Sequence, residues 1–340
     1  MATSSRIRVG IVGLSPNRGF ASIAHVPALR ALPEFEIAAV CTTRQDSAET
    51  TARHFGIPLV FSDPVKLAQH PDIDLVTVTV KVPDHYAPVI AAVEAGKHVY
   101  CEWPLGRNTE EARRMFHAAE RAGVRHAVGL QGQLSPTINY VKDLIADGYV
   151  GRVLAASLIG CAPNWGGSLD RAYQADFANG ANLMTITGGH QIDALCHCLG
   201  EFRELSAFAI SQRDRIVTED QGEVPLTSPD QLAVSGVLGS GAVVSFQIRG
   251  GMARDRVPLR NPRQRERSRA RRHHRRVDAA PGTVAARRPG QGRQAGRVAD
   301  PEEVSLCAGG GAAQLALQCR PALRETGGEH QEWHAGQPRL

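Results

Sequence analysis

The chain has 340 residues, 42% apolar and 21% charged, enough for two domains with cores of ordinary size, which excludes a fibrous or wholly disordered polypeptide. No apolar run approaches the roughly 20 residues that cross a bilayer, Met1 to Arg8 lacks the long apolar stretch of a secretory leader, and the seven cysteines are widely spaced without any Cys-x-x-Cys, so a cytoplasmic protein with reduced thiols and no membrane contact is expected. The net charge of +5 is split, because residues 1–253 carry 21 Lys and Arg against 25 Asp and Glu, whereas residues 254–340 carry 18 against 9.

Arg6 to Gly13 reads as a buried strand running into a turn, and Ala21 to Leu32 as a helix closed before Pro33. Glu36 to Thr42 is a second strand, followed by a helix from Asp46 to Phe55. Ile73 to Val80 is a buried strand, Ala87 to Ala95 a helix, Lys97 to Glu102 a strand, Thr109 to Ala122 a helix and Ala127 to Gln131 a strand. Strands alternating with helices imply right-handed crossovers and an α/β fold with a doubly wound parallel sheet over residues 1–130.

In such a sheet a dinucleotide lies at the carboxyl ends of the strands, its pyrophosphate over the N-terminus of the first helix, where free N–H groups and the helix dipole favour an anion. The candidates for that approach are Gly13, Leu14, Ser15, Arg18, Gly19 and Phe20. The loop is longer than Gly-x-Gly-x-x-Gly, and a plain turn is its competing reading. At the end of the second strand, where an acidic residue normally holds the ribose diol, the chain reads Cys41-Thr42-Thr43-Arg44. Hydroxyls with an arginine suit a 2′-phosphate, so the cofactor is expected to be NADP or NAD, with NADP favoured.

Further along, His190 can act as acid or base near neutral pH. Asp193, about one turn later on a helix, could fix its tautomer, although a surface helical pair is the plainer reading of these two residues alone. Cys196, His197 and Cys198 carry ligand chemistry, but sulfurs two residues apart on a helix face apart, so packing is expected and no metal site. Trp165 and Tyr173 fall in an irregular stretch that suits a polar ligand such as a sugar, or an ordinary loop.

From Arg254 onward every cation is Arg, there is no Ile, Phe or Tyr, and Trp333 is the only aromatic residue. Such a tail is expected to be disordered. A nucleic-acid arm is the weaker reading, since the Arg run has no interleaved aromatics. Read one nucleotide later with permitted codons, residues 254–340 regain globular patterning, so a shifted reading frame is favoured, leaving the sheet of the second domain incomplete after Ala242 to Ile248.

The segment Glu94 to Leu105, reading AGKHVYCEWPL from Ala95, resembles the AGKHVxxEKPL signature of the glucose–fructose oxidoreductase/inositol dehydrogenase (Gfo/Idh/MocA) family. Leu144 to Val153 resembles that family's crossing into its second domain, and Gly189 to Asp193 its HxxD motif. The resemblance covers residues 6 to about 253. It implies a nicotinamide-binding domain (1–130) and an α+β domain with an open, mainly antiparallel sheet (131–253) that carries substrate and usually makes homo-oligomer contacts. The long glycine loop is similar to that of the subgroup containing the fungal galactose-regulon repressor, a dinucleotide-binding regulator.

Two departures bear on catalysis. Where the resemblance implies a lysine that helps move the substrate hydroxyl's proton stands Trp103, and where it implies a carboxylate ahead of the histidine stands Ile186. His190 and Asp193 remain, with Lys81 at the end of a buried strand as a substitute ammonium or an ordinary solvated lysine. Val80, Glu102 and Trp103 are expected at the nicotinamide, and Trp103, Trp165, Tyr173 and His190 at the substrate. The reading is an NAD(P)-dependent oxidoreductase acting on a sugar, polyol or related hydroxy compound. The alternative is a non-catalytic NAD(P)-binding regulator acting through protein partners.

Overall fold

The computed structural model describes residues 6–17, 19–162, 165, 168–169, 172–251, 303–308 and 313–319, with backbone alone for 168–169 and the last two stretches. Its first half builds a parallel sheet from β1 (Ile7–Val12), β2 (Phe35–Cys41), β3 (Leu59–Phe61), β4 (Leu75–Val78), β5 (His98–Glu102) and β6 (His126–Gly129) in the order β3-β2-β1-β4-β5-β6. The chain reverses direction across the sheet between β1 and β4, opening a crevice at their carboxyl ends. Helices α1 (Val26–Ala31), α2 (Gln45–Phe55), α3 (Pro64–Gln69), α4 (Tyr86–Glu94) and α5 (Thr109–Ala122) connect the strands.

Caps fix several helix ends. The Asp63 carboxylate accepts from the Val65 amide at the start of α3, Asn108 accepts from the Glu111 amide at the start of α5, and Gly56 and Gly123 close α2 and α5 in the left-handed region. Val9, Ile11, Leu14 and Val40 form one buried cluster, while Val12, Val76, Val78, Val99 and Cys101 join a second. Strands buried this way read as continuous apolar runs, which is why the sequence betrayed them. The short β3 and α3 escaped prediction, being too brief to show a period. The helix expected from Ala21 to Leu32 starts as a π-helical turn, Ala21–His25, before it becomes α1.

The second half contains α6 (Pro136–Ala146), β7 (Val153–Ala162), β8 (Ser168–Leu169), α7 (Gly189–Leu199), β9 (Phe202–Ile210), β10 (Arg215–Thr218), β11 (Gly222–Pro225), β12 (Gln231–Leu238) and β13 (Val243–Gly250). Two further strands, β14 (Glu303–Ala308) and β15 (Ala313–Cys319), complete a mixed sheet of order β14-β15-β7-β13-β12-β9, in which β7 and β13 run parallel and every other pair antiparallel. Its inner face carries Ala156, Leu158, Leu232, Val234, Val244, Phe246 and Ile248, packed with Leu183 and Leu195 from the helical side. Phe246, Ile248, Leu183 and Leu195 are almost fully buried, each worth roughly 1.5–3 kcal/mol of transfer free energy. The opposite face alternates with this one and leaves Phe208 and Val243 exposed.

The tail therefore corrects one expectation. β15 pairs with β7 in the register Leu315 to Leu158 and Leu317 to Ala156, so the edge beyond β7 is covered rather than left unpaired. The reason is local: Val304, Leu306, Leu315 and Leu317 alternate with small or polar residues, a period-2 pattern that the Arg-rich average of the whole tail concealed. The expectations for 254–302 and 320–340 lie outside the described residues.

Candidate functional site

The site gathers at the carboxyl ends of β1, β4 and β5, against the segment that leads into α7. Gly13 ends β1 at φ +103°, and a Cβ there would meet Val80 Cγ1 at 2.8 Å and the Thr79–Val80 backbone at 2.9 Å. Only glycine meets both demands. Gly19, at φ +97°, has open space around its would-be Cβ, and the helical run from Ala21 starts without a side-chain cap. A strained glycine pressed on the neighbouring strand, an open glycine and uncapped N–H groups fit a dinucleotide pyrophosphate. Of the other loop candidates, Leu14 is buried in the core, so only its backbone is free to face a ligand. Ser15 is partly buried, Phe20 is exposed and packs edge-on to His25, and Arg18 lies outside the described residues.

At the end of β2, Thr42 Oγ1 bonds the Ser47 hydroxyl at 2.5 Å and donates to the Arg44 carbonyl at 2.9 Å, while Thr43 is exposed. The Arg44 guanidinium donates to Asp46 at 3.1 Å, both side chains being largely solvated. A carboxylate thus stands in this turn after all, in the first turn of α2 rather than at the strand end where it was sought.

Trp103 is turned toward the second domain. Its Nε1–H donates to the Thr185 carbonyl at 2.7 Å, and its ring lies where a Gly189 Cβ would stand, 2.7 Å from Nε1. The indole therefore wedges beneath the start of α7, next to His190, and spends its one donor there. Ile186 packs against the second-domain core.

His190 is partly buried, and burial holds its imidazole below the ordinary 6.5, opposed first by the Glu102 carboxylate and then by Asp193. Burial thus favours the neutral ring, the form able to accept a proton. Asp193 does not orient it through a hydrogen bond: Asp193 Oδ1 accepts from Gln133 Nε2 at 2.6 Å, and Oδ2 is buried without a partner. The hydrogen bond expected between Asp193 and the His190 ring is not made, because Gln133, on the turn that opens the second domain, reaches the carboxylate instead. Lys81 and Tyr173 do come together, the ammonium lying 5.1 Å from the ring centroid. Trp165, expected at the substrate, is 9% exposed within the second-domain core, where packing accounts for it. The Cys198 thiol donates to the Ile138 carbonyl at 3.6 Å, and the His197 ring bonds Asn139 at 3.0 Å.

Sequence reasoning overlooked His25, Tyr100, Gln133 and Thr185. His25 Nε2 lies 2.5 Å from Glu102 Oε1, 77 residues away in the chain. No local pattern announces such a pair.

A doubly wound domain joined to a mixed-sheet domain, with a partly buried histidine near their junction, is the architecture of the dinucleotide-dependent oxidoreductases and their relatives. Residues 7–130 match the model of the oxidoreductase family with an NAD-binding Rossmann fold, Gfo/Idh/MocA, and residues 136–260 match that of the Gal80p C-terminal domain. The chain is 39% identical over 212 residues to the dehydrogenase aclE of Aspergillus oryzae, covering 60% of this chain and 58% of that protein. It is 29% identical over 265 residues to the galactose/lactose metabolism regulatory protein GAL80 of Saccharomyces cerevisiae, covering 72% and 61%. The crystal structure of the transcriptional regulator Gal80p from Kluyveromyces lactis superposes with a TM-score of 0.70 at 27% identity, covering 75% of this chain and 66% of that one. An NAD-binding oxidoreductase from Klebsiella pneumoniae superposes with 0.66 at 27%, covering 74% and 69%. The chain thus spans about three fifths of the length of the curated relatives it matches. No helix among the described residues is long and apolar enough to cross a membrane.

Proposed function

We propose that the protein is an NAD(P)-dependent oxidoreductase acting on a secondary alcohol of a sugar, polyol or related hydroxy compound. The observation that carries this reading is the Trp103 indole, from the carboxyl end of β5, lying against Gly189 and bonding the Thr185 carbonyl, which brings the partly buried His190 to that end of the nucleotide-binding sheet. Two further relatives favour the substrate class, a levoglucosan dehydrogenase (30% identical) and a D-glucoside 3-dehydrogenase (31%). Gly13, Gly19 and the N-terminus of the helical run from Ala21 would hold the pyrophosphate, with Val80 and Glu102 toward the nicotinamide. The nicotinamide, when bound, exchanges a hydride with the substrate carbon. His190 takes the hydroxyl proton in the oxidation direction and returns it in the reverse. Lys81 and Tyr173 line the crevice and hold substrate hydroxyls. NADP is favoured over NAD on the Thr42-Thr43-Arg44 turn, with Asp46 as the competing neighbour of Arg44. The exposed sheet face around Phe208 and Val243 would pair with a second copy of the chain.

A second reading is a non-catalytic regulator that binds the dinucleotide and acts through a protein partner in a cytoplasmic setting. It is favoured by Trp103, whose only donor is committed to Thr185, and by the likeness to Gal80. Nicotinamide absorbance followed with a panel of polyols and aldoses decides between them. Turnover lost in His190→Ala supports the enzyme, and tight dinucleotide binding with no turnover across the panel supports the regulator.

A further inference from the structure

Glu102 is held more firmly than a cofactor contact requires. Its Oε1 takes the His25 Nε2 contact at 2.5 Å with the two side chains only 14% and 15% exposed. The Tyr100 hydroxyl donates to the same carboxylate, and this phenol is pushed up to about 12 by burial and then by the Glu102 charge, so it stays a donor at neutral pH. The His25 ring is fixed edge-on between Phe20 at 5.7 Å and Tyr100 at 5.2 Å. Gly129, the register partner of Glu102 on β6, leaves room for the cluster, since a Cβ there would stand 2.9 Å from both Glu102 Oε2 and the Tyr100 hydroxyl. The carboxylate is therefore clamped from two sides and set against β6.

What it is clamped toward follows from its neighbours. The indole of Trp103, the next residue, packs on Gly189, the residue before His190, so the end of β5 and the start of α7 are joined by that ring. The charged groups acting on His190 are Glu102 first and Asp193 second, and Asp193 shares its charge with Gln133. Those acting on Glu102 are His25, the Tyr100 hydroxyl and His190. Ile186, one turn before His190, offers no carboxylate. We infer that Glu102, clamped by His25 and Tyr100, is the carboxylate that works with His190 in place of the one Ile186 does not supply, and that His25 is its positioning residue.

This inference rests on the oxidoreductase reading. With a dinucleotide held in the crevice as hydride acceptor, the substrate O–H bond would break as the C=O bond forms, and its proton would pass to the His190 ring. The imidazolium so created is stabilised by the Glu102 charge arriving from the first domain, and returns the proton to water.

The test is an NMR titration of the histidine ring carbons in the full chain without cofactor, His190 being assigned by the signal missing in His190→Asn. Glu102→Gln, nearly isosteric, should lower the His190 midpoint by about one pH unit, roughly tenfold in proton affinity. His25→Leu should lower it in the same direction, while His25→Gln, whose amide still donates, should restore most of it. Tyr100→Phe removes the other clamp and supplies a second measurement if a His25 variant folds poorly. The acidic limb of kcat/KM against pH should move with the titration. A His190 midpoint unchanged in Glu102→Gln, or His25→Leu and His25→Gln behaving alike, overturns the inference. Turnover dependent on His190 with an unmoved midpoint overturns the pairing alone. A midpoint that responds to Glu102 in a chain without turnover on any substrate overturns the oxidoreductase reading and supports the pairing.

Discussion

Gly189→Ala puts a methyl group into the Trp103 ring and should destabilise the protein although every local rule favours alanine. Gly189 sits at φ −59° and ψ −50°, ordinary helical values, so alanine there should gain about 1 kcal/mol of helix propensity. The new Cβ would stand 2.7 Å from Nε1, 2.8 Å from Cζ2 and 2.9 Å from Cε2 of Trp103. A flat, rigid indole cannot slide aside without giving up its hydrogen bond to the Thr185 carbonyl. Overpacking of this kind costs roughly 1–3 kcal/mol and the lost hydrogen bond about 1 kcal/mol, leaving a net loss of about 2 kcal/mol. In urea unfolding of the full chain, followed by circular dichroism, the midpoint should fall by about 1 M. With Trp103→Ala the wedge is gone and Gly189→Ala should stabilise by about 1 kcal/mol, a coupling of about 3 kcal/mol between the two positions. Gly189→Ala stabilising the protein with Trp103 intact, or having the same effect in both backgrounds, would refute the wedge.

Three further outcomes are expected. Because burial holds His190 below 6.5, oxidation should require its neutral form, so kcat/KM rises with pH through a midpoint below that value; a midpoint at or above it counts against His190 as the base. Arg44→Ala should erase a tighter binding of NADPH than NADH measured by fluorescence titration, and equal affinities in the parent chain would remove the NADP preference. The Asp74 carboxyl is held below 3.8 chiefly by its hydrogen bond from Arg8, so in the folded state it stays ionised where the unfolded chain takes up a proton. The stability it contributes is present above 3.8 and is lost as pH falls through the depressed value. Asp74→Asn should flatten the fall of melting temperature with acid over that range, and an unchanged slope would assign the acid sensitivity to other groups.

Several features were legible in the chain itself. The continuous apolar runs at Ile7–Val12, Phe35–Cys41 and Leu75–Val78, punctuated by helices with capping residues, specify a buried parallel sheet, because strand burial on both faces is written in consecutive residues. The glycine at the end of β1 was legible for the same reason: a turn that presses backbone on backbone admits one residue type. The departures at Trp103 and Ile186 were visible as well, but not their consequence.

The consequences belong to pairs far apart in sequence. His25 meets Glu102 across 77 residues, Trp103 reaches Thr185 across 82, and Gln133 takes Asp193 across 60. Each pair joins two elements whose patterns are complete without the other, so no periodicity or spacing encodes the contact. The same holds for β15, whose alternation was lost in an Arg-rich average until β7 offered it an edge. Periodicity depends on neighbours within a turn or a strand, and so the sequence by itself determined the longer strands and helices of the parallel sheet and the glycine turn that ends β1. Which carboxylate faces His190, which way Trp103 turns and what covers the edge of the second sheet were decided only by tertiary packing, where side-chain direction and burial are set by elements that share no stretch of chain.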